Sequence, residues 1–211
     1  MALVSTTLAS LAKAGISSPV LVSRAAVRLR RMPVEELDSA PLNELRALLM
    51  AFAKMQVREE QLFNTLGEAF LRRSGHLFGL EPCGSLVHIS HSFTKVHVVH
   101  PGLFNGIALA LLERFDEMSM LECVRYLHGL SKVSHQLPLG FQELLEALPP
   151  AKLQSLGVFD LLKLATAARR LGLKIPAVEA QVKAVLPNEP GGGPDAPSRP
   201  PQPRQKRGQS A

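Results

Sequence analysis

Four stretches of this sequence align without gaps: FAKMQV from Phe52, FTKVHV from Phe93, LSKVSH from Leu130 and ARRLGL from Ala168. Their first residues stand 41, 37 and 38 positions apart. That is the length of a two-helix unit whose apolar stripe is buried only by its neighbours. With the first residue of each stretch as position zero, the columns extend in both directions. Leu45, Leu86, Cys123 and Leu161 stand at −7, Leu48, Ile89, Tyr126 and Leu164 at −4, and Met55, Val96, Val133 and Leu171 at +3. Offsets of −7, −4, 0 and +3 trace one face of a helix, called helix A of each unit.

A second helix, B, follows in each unit. Position +11 holds Phe63, Phe104 and Phe141, with Glu179 breaking the column, and +14 holds Leu66, Ile107, Leu144 and Val182. At +18 stand Phe70, Leu111, Leu148 and Leu186. Position +8 is Pro101, Pro138 and Pro176 in three units, which suits a first helical turn where the missing N–H removes no bond. The first unit has Glu60 there, with Glu59 beside it, and carboxylates suit the positive end of a helix dipole. The spacing predicts helices A near 41–56, 82–97, 118–134 and 156–171, and helices B near 59–73, 101–114, 138–148 and 176–186. No strand-like alternation competes. The expected fold is all-α, a right-handed α-solenoid of about four helix–turn–helix repeats of 37–41 residues, its last unit a weaker cap.

Composition sets the ends apart from this body. The net charge of +6 lies outside it: residues 33–186 hold fifteen Lys and Arg against sixteen Asp and Glu. Residues 1–32 carry Lys13, Arg24, Arg28, Arg30 and Arg31 with no acid, and are rich in Ala, Ser, Leu and Val. That is the composition of an organelle-targeting presequence, and the bases follow the apolar stretch where a secretory signal has them first. Residues 187–211 are dominated by Pro, Gly and polar residues and are expected to be a disordered basic tail. The expected division is therefore presequence 1–32, helical repeat domain 33–186 and tail 187–211. No apolar run approaches the roughly 18 residues of a membrane-spanning helix, so no membrane insertion is expected. Cys83 and Cys123 form no close-spaced pair, which argues against a disulfide framework and a Cys-rich zinc module.

The string LLMAFAKMQVREEQLFNTLGEAFLRR, with its F-A-K-M at Phe52 to Met55 repeated as F-T-K-V from Phe93, resembles the degenerate helical repeats of organellar RNA-metabolism proteins. These are the octotricopeptide and heptatricopeptide repeats and the helical regions that precede RAP domains. The resemblance covers residues 41–186. It implies a mitochondrial protein that binds RNA or sits in a mitochondrial ribosome, as in the protein-rich ribosomes of protists. The chain departs from the long RNA readers of that group in having few units and no RAP domain, which suits bridging within an assembly better than reading a long RNA.

Basic residues recur at +2: Lys54, Lys95, Lys132 and Arg170. Each falls in the last turn of a helix A, where a cation also complements the helix dipole. As a row along one edge they are candidate contacts to an RNA backbone, together with Arg58, Arg72, Arg73, Arg169 and Lys174 and, in the tail, Arg204, Lys206 and Arg207. His88, His91, His97 and His100 cluster in the second unit; His88 and His91 have metal-ligand spacing, but no cysteine or carboxylate completes a set, so no metal and no cofactor are expected. Glu59–Glu60 and Asp116–Glu117 sit where helices start, which explains them without general acid–base chemistry. Gly191 to Gly193 have no strand before them and no helix after, so they are no phosphate loop.

The expectation is a non-enzymatic, structural or RNA-stabilising subunit of a mitochondrial ribosome or related ribonucleoprotein, not an obligate homo-oligomer. Its partners would be rRNA or other organellar RNA and neighbouring ribosomal proteins, in the mitochondrial matrix ahead of the plastid. The alternative is a protein-interaction scaffold or an accessory subunit of a respiratory complex without RNA contact. A basic row interrupted by Glu44, Glu68, Glu81 or Glu122 would favour that alternative.

Overall fold

The computed structural model describes residues 2–16 and 18–186, with side chains from Thr6 onward. Arg204, Lys206 and Arg207 and the whole expected tail lie outside the described residues. The fold is all-α. Helices of the A type are α1 (Ala2–Ala14), α4 (Leu42–Lys54), α7 (Cys83–Lys95), α9 (Met120–Val133) and α12 (Val158–Leu171). Helices of the B type are α2 (Pro19–Arg30), α5 (Glu60–Leu71), α8 (Pro101–Glu113), α10 (Leu139–Glu146) and α13 (Pro176–Val185). Short third segments close four units: α3 (Val34–Ser39), α6 (Ser74–Leu80), a 3-10 turn at Phe115–Glu117 and α11 (Pro150–Leu153). Periodicity placed every long helix from residue 41 onward within a few residues of these bounds.

The A helices pack in chain order, α1 on α4, α4 on α7, α7 on α9 and α9 on α12, and α2, α5, α8 and α10 do the same in a second layer. Each short helix lies against the B helix of the following unit: α3 on α5, α6 on α8 and α11 on α13. The columns read from the sequence interlock in the core. Phe93 is fully buried between Phe63 of the unit before and Phe104 of its own, with ring centroids 5.3 and 6.0 Å away in edge-to-face geometry.

The structure contains a copy of the repeat that the sequence reading did not count. Helix A of every unit ends on the same left-handed residue at +4: Gln56, His97, Ser134 and Gly172 have φ of 57°, 60°, 52° and 70°, and Gly15 after α1 has 73°. In each turn the next N–H returns to the carbonyl at position zero, as in Val57 to Phe52 at 3.0 Å and Leu173 to Ala168 at 2.9 Å. Ile16 makes the same bond to Leu11 at 2.9 Å. This is the helix-terminating motif that satisfies two orphan carbonyls. Leu11 thus aligns with Phe52, so that LAKAGI matches FAKMQV, Lys13 joins the +2 column and Pro19 joins the +8 prolines.

The segment expected to be a presequence is therefore packed as a fifth unit. Leu8, Ala12, Val22, Ala25, Ala26 and Leu29 are buried beneath it against the rest of the chain. Among the described residues no helix is long and apolar enough to cross a membrane.

Candidate nucleic-acid interface

Because successive A helices keep their register, side chains at equal offsets line up across the layer. The outward stripe runs through offsets −5, −2 and +2, which are one helical turn apart. At +2 it carries Lys13, Lys54, Lys95, Lys132 and Arg170; at −5 it adds His88, Arg125 and Lys163; at −2 it adds Met50, His91 and His128. Lys13, Lys54 and Lys95 face one shallow groove of about 400 Å³ across α1, α4 and α7, floored by Ala9, Ala47 and Ala51 and flanked by His88 and His91. The small residues at Ala9, Ala47 and Ala51 leave the space that gives the groove its depth.

The imidazoles feel this crowd of cations. Burial first, then the charges of Lys132 and Lys95, lower the pKa of His91 to about 4, so the ring is neutral at pH 7. His128 is lowered by burial and by Lys132, Lys163 and Arg170, and His88 by burial, Arg125 and Arg46. His91 and His128 feel cations of their own helix or the next, while His88 feels Arg46 of α4 and Arg125 of α9, opposed by Glu122. The Nδ1 atoms of His91 and His128 are buried without a hydrogen-bond partner. Among the described residues no group of three His, Cys, Asp or Glu is arranged to hold a metal ion.

Of the acids whose interruption of the row would favour the alternative, Glu122, Glu81 and Glu68 bond elsewhere. Glu44, in contrast, lines a groove together with Lys13, and a further acid, Asp160, pairs with Lys163 at 2.9 Å. Glu122 closes a capping box at the start of α9, accepting from Ser119 N and Oγ at 2.8 Å each. Glu81 pairs with Arg46 at 2.9 Å, and Arg46 also donates to Ser85. Glu68 meets His100 Nε2 at 3.1 Å on the B layer. Glu44 lies in the first turn of α4, at the opposite end of the helix from Lys54. Acids thus gather where A helices begin and bases where they end, as the helix dipole favours.

The structure brings together Lys54, Lys95, Lys132 and Arg170 of the residues proposed from sequence, and separates Arg72 and Arg73 from them. The Arg72 guanidinium is 2.9 Å from both Asp38 oxygens, and Arg73 donates to the Leu37 and Ala40 carbonyls at 2.6 and 2.5 Å. Both serve to bind the second unit to the first, because the short α3 ends with free carbonyls beside an acid. Arg58 and Lys174 are exposed in the A-to-B turns, and Arg169 lines a different groove between α12 and α13.

Sequence reasoning missed Lys13, Arg125, Lys163 and His128. The signal was the same alignment, extended one turn back along the helix and one unit toward the N-terminus. No protein-family model matches this chain, and no curated protein is similar to it in sequence.

Proposed function

We propose that the chain is a right-handed α-solenoid that serves as an RNA-associated, non-enzymatic subunit of a mitochondrial ribosome or related ribonucleoprotein. The observation that carries this reading is the stripe of Lys13, Lys54, Lys95, Arg125, Lys132, Lys163 and Arg170 on one face of the A layer. Point charges in register along a helical layer suit the regularly spaced phosphates of an RNA backbone. Neutral imidazoles between them add flat surfaces on which unpaired bases stack. The resemblance of residues 41–186 to organellar helical repeats points the same way, and the acid-free first 34 residues support the mitochondrial matrix. The scaffold alternative draws on a different observation, the 82% exposed Phe159 with exposed Val158 beside it at the start of α12, a surface suited to a protein neighbour.

The test is binding of fluorescent oligo(U) across a salt series. With the five +2 bases each displacing counterions from a single strand, log K should fall against log salt with a slope of about −3.5, at roughly −0.7 per phosphate. The Lys95→Glu/Lys132→Glu pair should flatten that slope to about −2. An absence of saturable binding, or a slope untouched by the double variant, sinks the RNA reading and promotes the scaffold.

A further inference from the structure

At three of the four junctions between described units a base reaches back to the short third segment of the unit before; two of these use arginines just after a B helix and the third uses Lys152 of α11. Arg72 and Arg73 take Asp38 and the Leu37 and Ala40 carbonyls. Arg114 takes the Phe78 and Glu81 carbonyls at 3.3 and 2.8 Å, and Lys152 takes Asp116 at 3.1 Å. The repeat alignment puts Arg31 of the first unit at the position of Arg72, twenty residues after Leu11 and Phe52 respectively. No described unit stands before it.

Arg31 is exposed, as are Arg28 and Arg24 one and two turns earlier on the same face of α2, and none of the three side chains has a hydrogen bond or ion pair with a described residue. Together they line a groove of about 500 Å³ that continues over Met32 and Pro33 to Glu36, the one acid on its rim. This is the donor half of the chain's own junction, with no described carboxylate or carbonyl bonded to its side chains.

We propose that this outer end of the first unit docks a neighbouring protein through a short helix whose C-terminal turn carries an Asp or Glu. The partner's carboxylate takes the place that Asp38 holds against Arg72, and its last free carbonyls take guanidinium N–H groups as Leu37 and Ala40 do at Arg73. An orphan helix C-terminus is itself a negative end, so it adds to the attraction of the three arginines. A planar carboxylate can set both oxygens against a guanidinium, as Asp38 does against Arg72 Nε. The inference rests on the fold and not on the RNA reading, since α2 lies in the layer away from the basic stripe.

The probe is a peptide of the chain's own residues 33–42, titrated into the isotope-labelled full chain and followed by amide NMR. Saturable shifts confined to residues 23–36 are expected. Arg31→Glu, an exposed and unpaired position where folding is not at stake, should weaken binding about tenfold, the worth of one charge-assisted contact. A peptide with Lys in the Asp38 position should restore binding to that variant. No saturable shifts, shifts indifferent to Arg31→Glu, or displacement of the peptide by oligo(U) would each overturn the proposal, the last in favour of nucleic acid. A concentration-dependent rise in mass abolished by Arg31→Glu would overturn it in favour of a second copy of the chain.

Discussion

Replacing Gln56, His97 and Ser134 by glycine should stabilise the protein. These three residues close helix A in three units at φ of 57°, 60° and 52°, whereas Gly15 and Gly172 close the other two at 73° and 70°. A residue with a Cβ held in the left-handed region costs about 1–2 kcal/mol. Glycine removes that cost but returns about 0.5–1 kcal/mol through the greater freedom of the unfolded chain. The three side chains are exposed, so no packing is lost. The net gain is about 0.5–1 kcal/mol at each site. The turns lie in separate units without shared partners, so the triple variant should gain about 1.5–3 kcal/mol. For a chain of this size that raises Tm by roughly 3–12 °C. Urea unfolding followed by circular dichroism reads the effect as a higher midpoint at unchanged slope. Gly172→Ala supplies the reverse experiment and should lose about 1 kcal/mol. A lower midpoint in any of the three glycine variants, or a neutral Gly172→Ala, would refute the claim that these five turns share one strained conformation.

Two further outcomes follow from buried contacts. Burial and neighbouring cations hold the pKa of His91 at about 4 in the folded chain, while the unfolded chain takes up its proton near the ordinary value of 6.5. Stability should therefore be full above about pH 6.5 and decline as the pH falls toward 4, with His88, His128 and His135 contributing in the same direction. His91→Gln should flatten the pH dependence of the urea midpoint, and an unchanged profile would count against a folded His91 that resists its proton. Gly67→Ala should destabilise, because its Cβ would stand 2.4 Å from Cδ2 of His100. That ring cannot turn aside easily: Nδ1 accepts from Leu103 N at 3.3 Å and Nε2–H donates to Glu68 at 3.1 Å. Overpacking of about 1–3 kcal/mol outweighs the roughly 1 kcal/mol gained from helix propensity. Thermal melts check the sign, and His100→Ser should relieve the effect in the double variant.

What the sequence made legible was whatever repeats over many residues. Apolar columns at three and four residue spacings specify the long helices because burying a stripe is the largest local demand the chain makes. The first unit escaped because its columns hold small residues, Val22 and Ala25 where the next units have Phe63 and Leu66, and because its lack of acids suggested a removable segment. The short segments such as α6 and α11 span two turns or less, too little for periodicity to register. The +2 bases were visible as a column. The commitment of Arg73 to carbonyls more than thirty residues earlier was not, since nothing local distinguishes it from Lys54. Only packing decides which cations are consumed in joining units and which remain on the surface.

The placement of the N-terminal unit has a consequence for delivery. An amphipathic import signal is recognised in its unfolded or peripheral state, with its apolar side available. Here α1 and α2 turn that side inward, with Leu8 and Leu29 each 1% exposed, and leave Lys13, Arg24 and Arg28 outside. Under the proposed mitochondrial destination, folding in the cytosol would hide half of the address. Among the described residues this unit packs on one neighbour, α4 and α5, so it is expected to open at lower free energy than a unit packed on both sides. Under that destination, the same residues would have to serve as a label while open and pack over α4 and α5 afterwards.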